Sequence, residues 1–286
     1  MLNFDLIEKI IKKVYTPTNN PLLRRLKSFY WRIRIIAEPA IVNPNEEATA
    51  FFAQNAERVN LVANMLADEQ SKKEYLGIIK FRQTRSKKDY PKLKYEYQYF
   101  FNHLQLGKNE VFIDCGAYIG DTIDEFLKRC QEYRQIIAFE PEPENFKKLK
   151  KKHGANSKIT LMNAGVYDKE GEILFEKQGG LSRIIDGQDN EQSKFISIPV
   201  KTIDSMNLEK VSFIKMDIEG AELNALKGAE KTIVKNKPKL AICLYHSNED
   251  MIRIAEYIHD LIPEYKLYVR QYSFYPSLSE TVLYAI

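Results

Sequence analysis

Cysteine is scarce in this chain: only Cys115, Cys130 and Cys243 occur in 286 residues. The number is odd, and there is no CxxC pair and no Cys/His cluster. A disulfide framework and a structural zinc site are excluded as organising features, and a reducing compartment is expected. Also missing is any uncharged apolar run of the roughly 18 residues that a membrane-spanning helix requires. The opening stretch MLNFDLIEKIIKKVY is broken by acids and lysines, so it does not read as a secretory signal, and a cytoplasmic location is expected. A strong charge of one sign is absent too, with 43 basic against 39 acidic residues and a net charge of +4. Residues 1–36 carry +6 of it and leave −2 for the remainder. Nucleic acid is therefore a poor choice of partner, because phosphate contacts need a basic surface.

What is present is an ordinary globular composition, 44% hydrophobic and 29% charged, which permits a sizeable core. The chain divides in two at about Leu106. Before it, apolar residues recur at helical spacing and no strand is evident. Leu22, Leu23, Leu26, Phe29, Tyr30 and Ile33 form one such series; Val59, Val62 and Leu66 form another; Tyr75, Ile78 and Ile79 form a third. Residues 1–106 are expected to be a helical accessory region. Its segment 22–34 reads as a basic amphipathic helix. Two roles stand open for it: peripheral contact with anionic lipid, or packing of its apolar stripe with the charges left in water. SKKDYPKLK, residues 86–94, reads as a solvated linker. In YEYQYFF, residues 95–101, the aromatics suit either a platform for sugar rings or a face that docks onto a sheet.

After Glu110 short apolar runs alternate with helical stretches. Strands are predicted at 111–115, 136–140, 159–164, 213–218, 240–246, 265–272 and 281–286. Helices are predicted at 120–131, 143–153, 221–235 and 249–261, the last opened by a Ser247/Asp250 capping box. GEILFE (171–176) and FISIPV (195–200) break the alternation and read as an inserted β-hairpin. This pattern predicts an α/β domain over 107–286, with a parallel sheet covered on both faces.

In such sheets ligands sit beyond the carboxyl ends of the strands, where strand order reverses. The first strand delivers Asp114, Gly116, Ala117, Tyr118, Gly120 and Asp121 to that place. A dinucleotide fingerprint fails, because Tyr118 and Asp121 stand where its later glycines belong, and a P-loop fails for want of GK[ST]. Carboxylates at Asp114 and Asp121 would repel a pyrophosphate and attract an ammonium or sulfonium group. S-adenosylmethionine carries both. Glu140 ends the second strand, where a carboxylate can accept two ribose hydroxyls, and Pro141 turns the chain away. Asn163 and Ala164 would lie near an adenine ring.

VFIDCGAYIGDT, IIAFEPEPENF, NAGVYDKEGEILF, VSFIKMDIEGAELNALKGAEK and ETVLYAI together resemble the FkbM family of S-adenosylmethionine-dependent methyltransferases, from about Gln98 to Ile286. The resemblance implies a class I methyltransferase, Rossmann-like α/β fold with a mostly parallel sheet and an antiparallel last strand. It implies O-methylation, often of a sugar hydroxyl in a glycan, polysaccharide or glycosylated metabolite. Asp114, Gly116, Gly120 and Glu140 fall on the family's cofactor motifs, and Asp217, Glu219, Gly220 and Glu222 on its DxEGxE motif. Asp217 should face the transferable methyl and touch the cofactor, with Glu219 beside it orienting the acceptor. Glu222 has the blander reading of an acid in the first turn of a helix. His246, closing the fifth strand on the same crevice, is expected to be the general base, because its ordinary pKa of about 6.5 suits the task. A divalent cation on Asp217 and Glu219 is an alternative, but no obvious third carboxylate completes a site and no metal site is assigned. Two other functions stay open: a non-catalytic cofactor-binding partner subunit, and a methyltransferase for a lipid-linked acceptor.

Overall fold

The computed structural model describes residues 44–91, 97–178, 181–185, 195–273 and 276–286. The basic helix expected over 22–34 lies outside them. Three helices come first: α1 (Glu46–Gln54), α2 (Ala56–Met65) and α3 (Glu69–Thr84). Asn45 and Asp68 cap α1 and α3 by accepting the Ala48 and Ser71 N–H groups. Val59 and Val62 of α2 and Tyr75, Ile78 and Ile79 of α3 are buried, as their spacing predicted.

The α/β part then runs β1 (Glu110–Cys115), α4 (Asp121–Arg129), β2 (Tyr133–Phe139), α5 (Pro143–His153), β3 (Ile159–Met162), β4 (Gly165–Val166), β5 (Gly171–Gln178), β6 (Leu181–Ile185), β7 (Phe195–Lys201), β8 (Phe213–Met216), α6 (Glu222–Lys227), α7 (Glu230–Asn236), β9 (Lys239–Cys243), α8 (Asp250–Leu261), β10 (Leu267–Gln271) and β11 (Thr281–Ala285). Seven strands form one sheet in the order β10-β11-β9-β8-β1-β2-β3. β1 pairs parallel with β2 and β8, while β11 runs antiparallel to both β9 and β10. This is the expected Rossmann-like sheet with a reversed last strand. The chain winds outward from β1 through β2 and β3, then returns to the other side of β1 as β8. The β1/β8 boundary is thus the switch point where a ligand crevice opens.

Three sequence expectations are corrected. The inserted segment is larger than a hairpin: β5 and β7 pair antiparallel as expected, but β6 lies between them in sequence and pairs with β5, and β4 joins β7, making a four-stranded second sheet. The helix expected over 221–235 is two helices, because Gly228 lies against another strand's exit; a Cβ there would meet the Tyr167 carbonyl oxygen at 2.0 Å. Of the linker expected at 86–94, the described part, 86–91, is anchored: Pro91 is buried and the Tyr90 hydroxyl donates to the Ser273 carbonyl.

Strand alternation sorts the core. Val111, Ile113 and Cys115 join the apolar cluster that includes α1–α3, while Phe112 stacks with Phe126 and Phe213 on the opposite face. Phe100 and Phe101 pack on that second face, so the aromatic stretch docks onto the sheet through these two residues. Among the described residues no helix is long and apolar enough to cross a membrane.

α3 covers the sheet edge at β10. The Glu74 carboxylate accepts the Gln271 N–H, and Asp68 pairs with Arg270 at 2.6 Å. Arg270 is 5% exposed in its side chain and donates to Ser71 and the Val269 carbonyl as well. Burial opposes the charge on Asp68, but Arg270 and Ser71 outweigh it and hold the carboxyl at about 2. A carboxyl with a lowered folded pKa contributes stability above its ordinary value of ~3.9 and loses it as pH falls through the lower one. Asp68→Asn keeps a capping side chain and removes the charge. It should cost about 1–2 kcal/mol at neutral pH, because the Asp68 carboxylate is a third exposed and partly screened by solvent. Urea denaturation checks this: the gap to wild type should close between about pH 4 and 2, and equal stability at neutral pH would contradict it.

Candidate active site

A cavity of about 620 Å³ opens at the carboxyl ends of β1, β2, β3 and β8. Gly116, Tyr118 and Asp121 line it from the β1–α4 loop, Glu140 and Pro141 from the end of β2, and Ala164 from beyond β3. At its other end stand Asp217 and Glu219 after β8, Tyr99 from the segment before β1, and Glu280 before β11.

Much of this wall is strained backbone. Tyr99 (φ 67°), Tyr118 (φ 50°), Glu219 (φ 58°) and Glu280 (φ 71°) all adopt left-handed conformations. Such positions cost about 1–3 kcal/mol each and persist only where the surrounding structure enforces them. Gly116 (φ 80°) is required for a further reason: a Cβ would fall 1.9 Å from the Asp217 carbonyl oxygen. The exits of β1 and β8 therefore touch through backbone, which no side chain permits.

Glu140 is 5% exposed. Its two oxygens accept the Tyr118 N–H at 2.7 Å and the Glu142 N–H at 2.9 Å. Burial pushes its carboxyl up to about 7, against the pull of those two N–H groups. Each oxygen keeps one further lone pair for a ligand hydroxyl.

Behind the cavity lies a buried ion pair. Lys215 Nζ stands 3.1 Å from Asp114 Oδ1 and donates to the Gly116 carbonyl at 2.7 Å. Burial works against the ammonium, but Asp114 and then Asp217 outweigh it and hold Lys215 above the ordinary lysine range. Asp217 accepts from the Tyr99 hydroxyl at 2.6 Å and the Tyr245 hydroxyl at 2.7 Å. Burial would raise its carboxyl; Lys215, His246 and the two hydroxyls lower it below the usual range.

His246 lies among three carboxylates. Its Nδ1 is 3.0 Å from Glu222 Oε1, and its Nε2 is 3.4 Å from Glu219 Oε2 and 3.5 Å from Asp217 Oδ1. Burial alone would lower its pKa, yet these acids push it up to about 11. Three carboxylates at 3.0–3.5 Å favour the protonated ring, the form that has no lone pair to take a hydroxyl proton. That setting suits a counter-ion of the acidic loop better than the general base expected from its position. Glu222 is likewise more than a helix-dipole acid. Its oxygens accept the Ile218 and Gly220 N–H groups, which closes the DIEGAE turn on itself. Asp217, Glu222 and His246 do bring ligand-type atoms within 4.8 Å of one another. These internal partners already account for that grouping.

Of the residues singled out in the sequence, Gly116, Tyr118, Asp121, Glu140, Pro141, Ala164, Asp217 and Glu219 line the cavity. Asp114, Ala117, Gly120, Asn163 and His246 stand behind them. Asp114 is fully buried, and the ammonium it attracts is the protein's own Lys215. Asn163 donates to the Glu140 and Pro141 carbonyls and shapes the turn. Gly120 opens α4 in a left-handed conformation against His153. Sequence reasoning missed Lys215, Tyr245 and Glu280. Lys215 carried a signal: a lysine inside an apolar strand, two residues before Asp217, shares a face with it. Glu280 stood at the head of the ETVLYAI segment that carries the family resemblance, and Tyr245 carried no signal.

A family profile described as "Methyltransferase FkbM domain" matches residues 114–274. The 2-O-methyltransferase NoeI of Sinorhizobium fredii is 24% identical over 180 residues, which cover 55% of this chain and 72% of NoeI. The hexuronic acid methyltransferase AglP of Haloferax volcanii is 29% identical over 117 residues, covering 38% of this chain and 47% of AglP. A crystal structure of methyltransferase FkbM from Methylobacillus flagellatus KT matches with a TM-score of 0.70 and 28% identity, over 83% of this chain and 60% of that one. The chain thus spans less than two thirds of that solved structure and about half of AglP.

The protonated state of His246 is measurable. A pKa raised on folding contributes stability that is full below the ordinary value of ~6.5 and fades as pH climbs towards the folded one. His246→Gln should melt below wild type near pH 6, and the difference should narrow steadily through pH 8 to 10. A melting difference that ignores pH would show that the folded protein holds a neutral imidazole there.

Proposed function

The chain belongs to the FkbM methyltransferase family, and from that premise we propose that it transfers a methyl group from S-adenosylmethionine to a saccharide hydroxyl. The observation that carries this is one cavity joining two chemistries across the β1/β8 switch point. One end has the glycine turn and Glu140; the other has Asp217 and Glu219. The functions of two relatives support both halves: NoeI is a 2-O-methyltransferase, and AglP is a hexuronic acid methyltransferase.

The residues fit the cofactor. A cavity of about 620 Å³ lies within the usual ~300–1,000 Å³ range of small-molecule sites. Glu140 retains lone pairs for the two ribose hydroxyls, and Gly116 brings its backbone to the cavity wall. Ala164 and Pro141 supply apolar surface for an adenine. The acids at Asp121, Asp217 and Glu219 suit a ligand that carries an ammonium and a sulfonium. When bound, S-adenosylmethionine supplies a methyl group made electrophilic by the positive sulfur. Asp217, held ionised by Lys215 and two tyrosine hydroxyls, stabilises that positive end. Glu219 accepts from the acceptor's hydroxyls, and His246 keeps both acids in place. The same geometry accommodates a lipid-linked sugar, and a partner subunit that only binds cofactor is the non-enzymatic alternative.

Incubation with methyl-labelled cofactor and the host's glycan fraction tests the reading. Label recovered as a sugar methyl ether is the expected result. Binding of the cofactor product without transfer to any saccharide would favour the non-catalytic role.

Cofactor binding has its own test through Glu140. Hydroxyl donors favour the ionised carboxyl, so occupancy should lower its pKa from about 7 and release a proton. Affinity for S-adenosylhomocysteine, measured by calorimetry, should rise with pH up to about 7 and then level. Glu140→Gln should weaken binding by about 1.5–3 kcal/mol per lost charge-assisted bond and flatten the pH dependence. Wild-type affinity in that variant would show that Glu140 does not hold the ribose.

A further inference from the structure

We propose that Glu280 is the general base that takes the acceptor hydroxyl's proton, an assignment that rests on the O-methyltransferase reading above. Glu280 immediately precedes β11 and lines the cavity at the same end as Asp217, Glu219 and Tyr99. Its backbone is left-handed, with φ 71°. That conformation is locked from both sides. The Glu280 carbonyl accepts the Tyr272 N–H at 3.0 Å, and the next carbonyl, of Thr281, accepts the Leu244 N–H at 2.9 Å. An antiparallel last strand thus begins at the carboxyl ends of its parallel neighbours and delivers an acid to the crevice there. It also completes a set of three carboxylates that the sequence did not reveal.

The other candidates at this end are engaged. Both oxygens of Asp217 accept tyrosine hydroxyls, and its lowered pKa makes it a poor base. His246 is surrounded by Glu222, Glu219 and Asp217 at 3.0–3.5 Å, which favour its protonated form. Glu219 stands 3.4 Å from the His246 ring. The groups that face Glu280 are Asp217 and Glu219 from the β8–α6 loop, Cys243, Tyr245 and His246 from the end of β9, and Gln98 and Tyr99 from the segment before β1. Burial, then Asp217, pushes its carboxyl up to about 6, with Gln98 and His246 pulling the other way. It is then ionised at neutral pH, yet far more basic than an ordinary carboxylate. Efficient general bases have a pKa near the working pH.

The step balances without a further reactant. The acceptor oxygen forms its bond to the methyl carbon as the carbon–sulfur bond breaks. The hydroxyl proton passes to the Glu280 carboxylate. A methyl ether, S-adenosylhomocysteine and a neutral Glu280 result, and the acid returns its proton to water.

The test compares wild type, Glu280→Gln and Glu280→Asp on methyl glycosides of neutral hexoses and of hexuronic acids, together with the glycan fraction. Turnover of Glu280→Gln should fall by about 10²–10⁴, with S-adenosylhomocysteine affinity unchanged by calorimetry. Glu280→Asp should recover part of the loss. Wild-type kcat/KM should rise with pH to a plateau above about 6, and the residual activity of Glu280→Gln should lack that limb. A readout free of acceptor and cofactor is carbon NMR of carboxyl-labelled glutamate: a resonance titrating near 6 should vanish in Glu280→Gln. Near-normal turnover in Glu280→Gln beside an active wild type overturns this proposal alone. So does a Glu280→Gln protein that has lost cofactor-product binding, since that marks a structural role. A wild type that binds S-adenosylhomocysteine but methylates no saccharide overturns the reading beneath it, and the assignment falls with it.

Discussion

The site depends on one buried ion pair. Asp114 on β1 and Lys215 on β8 are opposite each other in the parallel ladder, and both side chains are almost wholly out of water. A charge of either sign left alone there would be costly, so each requires the other. Lys215 also donates to the Gly116 and Cys115 carbonyls, which fastens the exit of β1 to the strand that ends in Asp217. One side chain thus shapes the glycine turn, neutralises Asp114 and keeps Asp217 ionised. Two halves of the crevice, separated by about a hundred residues of chain, are held as one object.

Around that pair the charges are arranged with little slack. The acids that form one end of the cavity are Asp217, Glu219 and Glu280, and Glu222 stands behind them. Repulsion among them is offset by the buried ammonium of Lys215 and by His246, whose protonated form the acids favour. Hydroxyls of Tyr99 and Tyr245 complete the solvation of Asp217 in place of water. Dipoles and charges fixed before a ligand arrives need no reorganisation when it does, which is the usual source of electrostatic catalysis. Backbone strain serves the same end: Tyr99, Tyr118, Glu219 and Glu280 are each held in a conformation that an unconstrained chain avoids.

The helices before the sheet belong to the same packing. Val62, Tyr75 and Ile78 share an apolar cluster with Ile113, Ile214 and Leu283. Asp68 and Glu74 of the α3 region supply the polar partners that the β10 edge needs. Tyr99, which reaches Asp217, arrives on the segment that connects these helices to β1. A region outside the matched family segment therefore contributes a side chain to the candidate site.

Sequence alone determined the features that local chemistry writes into short stretches. Two-sided apolar runs gave β1, β2, β8 and β9, Pro143 marked the start of α5 to the residue, and the turn after β1 demanded glycine at 116 and 120. Asp114, Glu140, Asp217 and Glu219 were legible because they end strands, and strand ends in a parallel sheet converge. The tertiary structure decided what each of those acids meets. Asp114 faces an internal lysine instead of a ligand, His246 is surrounded by carboxylates, and Glu280 enters the cavity on a strand that runs backwards. Periodicity and turn residues report on neighbours a few positions away. The protonation state of a buried group is set by charges brought beside it from strands far along the chain, and that information exists only once the sheet has closed.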